Sequence, residues 1–302
     1  MQLPPNFIHT VASTFPAGAA WLDALPALLD EYAAALGLTL EPPFPLSYNY
    51  VAPARRSDGT FVVLKLGVPN PELTTEILAL TRYAGNGAVR LLASDAERGM
   101  LLLERLLPGT SLAALDDDAA ATEQAALLMR RLWRPTEAGH PFHTVAAWGG
   151  RGMAGLRTTF NGGTGPFPAD LVILAEEMFA AAHTGERILL HGDLHHENIL
   201  NATRGGWLAI DPKGVAGPRG YECGAFLRNQ LFNRPDPAWT LAQRVARLAE
   251  ILDLPHAEIL RWGVAQNVLS AWWNYGPDAL NTIQDDAGLM CARLCAAELG
   301  FG

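Results

Sequence analysis

Three oxygen-bearing side chains have the types and spacing to manage a phosphate group. Asp193 and Asn198 lie in His191-Gly192-Asp193-Leu194-His195-His196-Glu197-Asn198, and Asp211 follows in Ile210-Asp211-Pro212. Ile188-Leu189-Leu190 and Leu208-Ala209-Ile210 read as short buried strands. The two carboxylates would therefore converge from the ends of neighbouring strands, and Asn198 falls where the connecting loop turns back. Phosphoryl transfer from ATP needs these groups. One carboxylate orients the acceptor hydroxyl and takes its proton, while a second carboxylate and an amide oxygen hold Mg²⁺ against the triphosphate.

The pattern H-x-D-L-x-x-x-N is that of the kinase catalytic loop, and Asp211 stands where the metal-binding Asp of D-F-G would be. The plain alternative is a loop whose Asp and Asn cap turns. Zinc on His191, His195 and His196 is a rival chemistry. A metalloprotease helix would need Glu after the first histidine, and position 192 is glycine behind a strand-like run. Upstream, Phe61-Val62-Val63-Leu64-Lys65 is a strand ending in lysine. Eleven residues on, Glu76 falls inside a helix, so a Lys65–Glu76 pair would aim the ammonium at the phosphates. Glu72 competes but stands at the helix start, where the helix dipole explains an acidic residue. No G-x-G-x-x-G precedes Lys65. The segment is Pro45-Leu46-Ser47-Tyr48-Asn49-Tyr50-Val51, so Ser47 and Asn49 near a hairpin tip would have to cover the phosphates.

The elements that must position these groups follow from the periodicities. Residues 16–38 read as a helix, with Gly37 as its stop. Residues 44–53 and 59–66 read as strands about the turn Ser57-Asp58-Gly59, residues 72–83 as an amphipathic helix, and 89–93 and 100–106 as further strands. After Pro108-Gly109 the pattern turns helical, at residues 122–133, 170–183, 237–252 and 256–275. Residues 149–168, rich in glycine and threonine, read as a loop or frayed helix. An α+β fold of two lobes follows, residues 1–107 and 108–302, around a shared cleft.

Composition bounds the partners. The chain has 302 residues, 49% hydrophobic and 18% charged, with a formal charge of −9 from 31 acidic and 22 basic residues. That balance argues against nucleic acid and suits a cationic small molecule. The first ten residues carry no Lys or Arg and do not read as a signal peptide. No apolar run approaches a membrane span. Three cysteines, with Cys291 and Cys295 one helical turn apart, do not read as a disulfide set and suit a reducing cytoplasm.

The string from Leu190 to Leu200, then Gly206-Trp207-Leu208-Ala209-Ile210-Asp211-Pro212-Lys213-Gly214, resembles the aminoglycoside/hydroxyurea antibiotic resistance kinases. Gly87-Ala88-Val89-Arg90-Leu91-Leu92, Leu101-Leu102-Leu103-Glu104 and Ser270-Ala271-Trp272-Trp273-Asn274 match it too. The resemblance implies a protein-kinase-like fold, with an antiparallel sheet lobe and a larger helical lobe. It also implies ATP with Mg²⁺, and phosphorylation of the streptomycin 6-hydroxyl. Asp193 would be the base, Asn198 and Asp211 the metal ligands, and Lys65 and Glu76 the phosphate-positioning pair. Glu104-Arg105-Leu106 would be the hinge whose backbone, at Glu104 and Leu106, meets adenine. Gly192 replaces the Arg of regulated protein kinases, which implies constitutive competence.

A doubly guanidinylated acceptor wants carboxylates and aromatic faces. Glu222, Trp272, Trp273, Asn274 and Asp278 are the candidates; core packing for the tryptophans and an N-cap or ion pair for Glu222 are the plain readings. Other acceptors open to this fold are choline, homoserine or a sugar. A silent nucleotide-binding homologue is the non-enzymatic alternative, and the expected state is a monomer or weak dimer.

Overall fold

The computed structural model describes residues 3–275 and 283–300, and the chain divides into two compact units, residues 1–109 and 110–302. In the first unit, two helices, α1 (Pro5–Thr14) and α2 (Gly18–Leu36), precede a five-stranded antiparallel sheet. Its strands are β1 (Leu38–Leu40), β2 (Tyr50–Arg56), β3 (Phe61–Leu66), β4 (Leu91–Asp95) and β5 (Met100–Glu104), in the order β1-β2-β3-β5-β4. Helix α3 (Pro71–Tyr83) sits between β3 and β4 in the chain. The left-handed Gly37 ends α2, because only a residue without Cβ reaches that conformation without strain.

Alternation along β3 assigns its two faces. Val62, Leu64 and Leu66 are fully buried and join Ala52 and Ala54 of β2 in one core with Phe7, Val11, Trp21, Leu25 and Leu29 of α1 and α2. A period of two then turns Val63 and Lys65 to the opposite face. Asn70 caps α3 by accepting from the Glu72 and Leu73 N–H groups, with Pro71 at the first helical position, a pairing that satisfies donors the helix itself cannot.

In the second unit a short strand β6 (Pro108–Ser111) enters from the first, and six longer elements follow: α4 (Asp118–Leu132), α5 (Val145–Thr159), α6 (Ala169–Ala181), α8 (Pro237–Leu252), α9 (His256–Asn274) and α10 (Ala287–Glu298), with a short α7 (Cys223–Arg228) before α8. Helix α9 is buried around most of its circumference, from Ile259 through Ala271, as a central core helix must be. Strands β7 (Arg134–Pro135), β8 (His143–Thr144), β9 (Ile188–Leu190) and β12 (Val215–Gly217) form a small sheet in the order β7-β9-β12-β8. Strands β10 (Ile199–Ala202) and β11 (Gly206–Ala209) make an antiparallel ladder pairing Ile199 with Ala209. Among the described residues, no helix is long and apolar enough to cross a membrane, and the three cysteines are free and buried.

Of the two readings of residues 149–168, loop or frayed helix, the helical one holds as far as Thr159, within α5. Gly149, Gly150, Gly152 and Gly155 lower its propensity, yet two of them are seats for neighbours. A Cβ at Gly149 would stand 2.1 Å from the Phe179 ring, and one at Gly152 would stand 2.2 Å from Leu269. Close approach to α6 and α9 offsets the backbone cost. The opening segment differs, since residues 5–14 add a helix before the one read over 16–38, and β2 begins at Tyr50 rather than residue 44.

These two classes of glycine separate in denaturation. Gly149→Ala should lower stability by ~1–3 kcal/mol through overpacking against Phe179. Gly150→Ala, where a Cβ meets nothing within 4 Å, should be neutral or stabilising by up to ~1 kcal/mol. Urea midpoints read both, and equal shifts would disprove the packing account.

Candidate active site

In the first unit Lys65 and Glu76 are almost fully buried, and Lys65 Nζ donates to both Glu76 carboxylate oxygens at 2.7 and 2.8 Å. The face assignment of β3 presents the lysine, and α3 presents the glutamate nearly two turns in from its Asn70 cap. Glu72 stays at the exposed helix start. Burial makes the pair obligatory, since removing either partner would strand a desolvated charge at a cost of ~3–5 kcal/mol. Ser47 and Asn49 lie in the connection from β1 to β2, with Asn49 Oδ1 close against Gly67. Glu104 closes β5; its N–H donates to the Arg90 carbonyl and its side chain accepts from the Arg90 N–H. Leu106 follows it and is buried.

In the second unit three loops are tied into one framework. The segment after β9 carries Asp193, the turn into β10 carries Asn198, and the segment after β11 carries Asp211. Ile210 N–H donates to the Asn198 carbonyl at 2.9 Å, which fixes the start of β10 beside the end of β11. His191 is fully buried between the loops. Its Nε2 lies 2.7 Å from the Ile210 carbonyl, its Nδ1 accepts from the Asp193 N–H at 3.3 Å, and its own carbonyl accepts from the Lys213 and Gly214 N–H groups. Desolvation holds this imidazole down to about 4, so it is neutral and acts as a strut between Asp193 and Asp211.

Glu222 completes the framework from beneath. It is fully buried, and its two oxygens accept from the His191 and Gly192 N–H groups at 2.7 and 2.8 Å. Glu222, a candidate acceptor contact with a structural role as its plain alternative, here turns both oxygens to the backbone of the loop. Gly192 between these bonds has φ +86°, and a Cβ there would meet Val215 at 2.8 Å and Lys213 at 3.2 Å. A side chain at position 192 is excluded by both conformation and space. Asp211 is also left-handed, at φ +57°, a sparsely populated state that persists only where surroundings hold it.

Among the described residues, His191, His195 and His196 serve separate partners and do not converge as a ligand set. His191 is the strut described above. His195 is half-buried and pairs with Glu197, Nδ1 to Oε2 at 3.1 Å. His196 is buried with its ring stacked on Phe226 at 4.2 Å, and its backbone N–H donates to Asn229 Oδ1. Arg244 holds that same segment, donating to the Phe226, Leu227 and Asn229 carbonyls while its guanidinium pairs with Asp118. Neither Asn229 nor Arg244 carries a signal in the sequence, since their partners are distant in the chain.

Asp193 keeps about a third of its side chain exposed, enough to meet a small molecule. Asn198 Nδ2 donates to the Asp193 carbonyl at 3.0 Å, which leaves Oδ1 as an acceptor. The Asn198 and Asp211 oxygens are hard donors. One amide oxygen and one carboxylate are a set suited to Mg²⁺ that shares its shell with substrate phosphates and water, rather than to an all-protein cage.

Of the remaining acceptor candidates, Trp272 is half-buried in a cluster with Phe160, Phe167 and Tyr275. Trp273 is half-exposed and meets Trp148 edge-on at 5.5 Å. Asn274 is exposed and donates to Asp286. Asp278 lies outside the described residues. Consecutive tryptophans on one helix face different surroundings, so the two do not act as one platform.

The model of the aminoglycoside/hydroxyurea antibiotic resistance kinases matches residues 46–276. A streptomycin 6-kinase of Streptomyces glaucescens is 31% identical over 91% of this chain and 91% of its own length. A hydroxyurea phosphotransferase of Kitasatospora aureofaciens is 36% identical over 85% of this chain and 75% of its own. Among solved structures, a thermostable mutant of the aminoglycoside phosphotransferase APH(4)-Ia, in ternary complex with ADP and hygromycin B, superposes with a TM-score of 0.59. That match has 13% identity and covers 91% of this chain and 99% of that one. At this identity the likeness speaks for the fold alone, which is α+β and protein-kinase-like.

Burial of Glu222 has a measurable sign. Desolvation pushes its carboxyl up to about 7 from 4.5, against the pull of the two amide donors. Between those pH values the folded chain keeps a proton that the unfolded chain has released, so this group's contribution to stability is full below pH 4.5 and is lost as pH rises through 7. His191 and His196, depressed to about 4 and about 3 by desolvation, run oppositely and lose stability as pH falls below 6.5. In Glu222→Gln this group's falling slope is removed and the histidine slope stays. The unfolding free energy of the variant relative to the parent should rise by about 3 kcal/mol from pH 4.5 to 7, read by urea titration at each pH. Parallel curves for the two proteins would refute it.

Proposed function

We propose that this chain, an alcohol phosphotransferase that belongs to the aminoglycoside/hydroxyurea antibiotic resistance kinase family, transfers the γ-phosphoryl group of ATP to the 6-hydroxyl of streptomycin. The observation that carries the chemistry is the framework of His191 and Glu222, which holds Asp193, Asn198 and Asp211 at the ends of paired strands. What supports the acceptor is the identity to the streptomycin 6-kinase over nine-tenths of both chains.

In this reading Asp193 is the base. Its carboxylate accepts the hydrogen of the acceptor hydroxyl as that oxygen bonds to the γ-phosphorus. The bond from phosphorus to the β–γ bridging oxygen breaks, and ADP leaves with the electron pair. Asn198 and Asp211 would hold Mg²⁺, which would supply neutralising charge to the phosphate oxygens. In the first unit, Lys65 directs its ammonium to the α- and β-phosphates, and Glu76 keeps that ammonium in one place. Ser47 and the β1–β2 connection cover the phosphates with backbone N–H groups where a glycine-rich loop is lacking. The backbone at Glu104 and Leu106 meets adenine. Trp272, Trp273, Asn274 and Asp278 are candidate acceptor contacts, since guanidinium groups stack on aromatic faces and pair with carboxylates.

A second acceptor is favoured by one observation. The hydroxyurea phosphotransferase is 36% identical, so a much smaller hydroxylated compound is the competing substrate for the same chemistry.

Two measurements separate these readings. ADP release from Mg·ATP should be stimulated by streptomycin, with phosphate appearing at the 6-hydroxyl by NMR. Stimulation by hydroxyurea with none by streptomycin would replace the first acceptor by the second. Asp193→Ala should lower turnover by ~10²–10⁴ while ATP binding changes little. An equal loss of ATP binding would show that the carboxylate serves the nucleotide instead.

A further inference from the structure

Every contact of the Asn198 side chain with the loop comes from one end of its amide. Nδ2 donates to the Asp193 carbonyl at 3.0 Å and lies 3.2 Å from His195 Nε2. Reversing the amide would set Oδ1 against the Asp193 carbonyl oxygen, acceptor facing acceptor. With Nδ2 fixed in this sense, His195 Nε2 must be the lone-pair nitrogen of a neutral ring, and its proton must sit on Nδ1. Nδ1 faces the Glu197 carboxylate, Oε2, at 3.1 Å. The other oxygen of Glu197 accepts from Gln230 Nε2, and Gln230 Oε1 in turn accepts from Asn233 Nδ2. A chain of donors and acceptors thus runs from the segment after α7, through a carboxylate and an imidazole, to one amide. By contrast, His195 Nε2 is 3.9 Å from Asp193 Oδ2, too far for a hydrogen bond.

We propose that His195, with its tautomer set by Glu197, is a positioning residue that locks the Asn198 amide with Oδ1 presented to the nucleotide-bound Mg²⁺. This rests on Asn198 being a metal ligand. In this role His195 touches neither phosphate nor acceptor. It supplies one lone pair that consumes the second amide hydrogen, so the oxygen cannot rotate inward. A carboxylate–histidine pair behind a ligand is a common outer-shell device, and losing one typically costs 10–100-fold in metal affinity.

The test uses Mn²⁺ as the probe, with the full chain and ADP, following free Mn²⁺ by electron paramagnetic resonance. Asn198→Ala and His195→Leu should each weaken Mn²⁺ binding by ~10-fold or more. Glu197→Ala, which frees the ring to take the other tautomer, should weaken it in the same direction. His195→Gln should hold within ~3-fold of the parent, because its Oε1 accepts from Asn198 while its amide donates to Glu197. In turnover, His195→Leu should need more Mg²⁺ for half-maximal rate and should approach the parent kcat at saturating Mg²⁺. Parental Mn²⁺ affinity in His195→Leu, with Asn198→Ala weakened, would overturn the proposal and leave the metal reading standing. Parental affinity in Asn198→Ala would remove that reading and the proposal with it. If His195→Gln were as weak as His195→Leu, the acceptor lone pair would not be the operative feature, which also overturns it.

Discussion

The second unit turns on an acidic side chain buried away from solvent, that of Glu222. Glu222 accepts two backbone N–H groups from consecutive residues, and those residues sit immediately before Asp193. A loop of this kind has few neighbours to pin it, because its side chains must stay available for chemistry. Pinning it from below through main-chain donors leaves the upper surface open. The cost is a desolvated acid, tolerable only while both oxygens are engaged. Gly192 is the counterpart of that arrangement, since it carries the second donor amide and its left-handed φ turns the chain on toward Asp193. His191 then carries the order sideways to Ile210 and so to Asp211.

The first unit solves a different problem by a simpler means. A lysine in a core is unfavourable unless a partner is certain to be there. Here certainty comes from two rigid elements, a strand whose alternation chooses the face and a capped helix whose first turn is fixed by Asn70 and Pro71. The N-terminal helices take the other face of the strand, so hydrophobic burial and charge placement do not compete for the same side.

Much of this was legible in the residues. Lys65 and Glu76 are eleven apart across one turn, and local periodicity suffices to pair them. Asp193 and Asn198 lead into one hairpin and Asp211 leaves it, so strand ends and loop lengths are readable. Legibility fails where the deciding partner is remote. Glu222 is thirty residues from the amides it holds, and nothing near it distinguishes that duty from an N-cap or a ligand contact. Helix α5 was obscured by its glycines. Intrinsic propensity counts them as breaks, whereas Gly149 and Gly152 are the places where Phe179 and Leu269 come closest. Tertiary packing overrode local preference there. The side chains for an acceptor are the least legible, because an exposed tryptophan such as Trp273 and a half-buried one such as Trp272 look alike in a string.

The two-sidedness of β3 bears on how this gene can change over time. Substitutions along the strand alter one face at a time and can be absorbed individually. Loss or gain of a single codon anywhere between Phe61 and Lys65 would exchange the faces of the residues beyond it. The ammonium would then be turned into the apolar layer beneath α1 and α2, and a leucine would be presented to Glu76. Changes of length should therefore be purged from β3, where each residue gained or lost reverses the faces of all that follow.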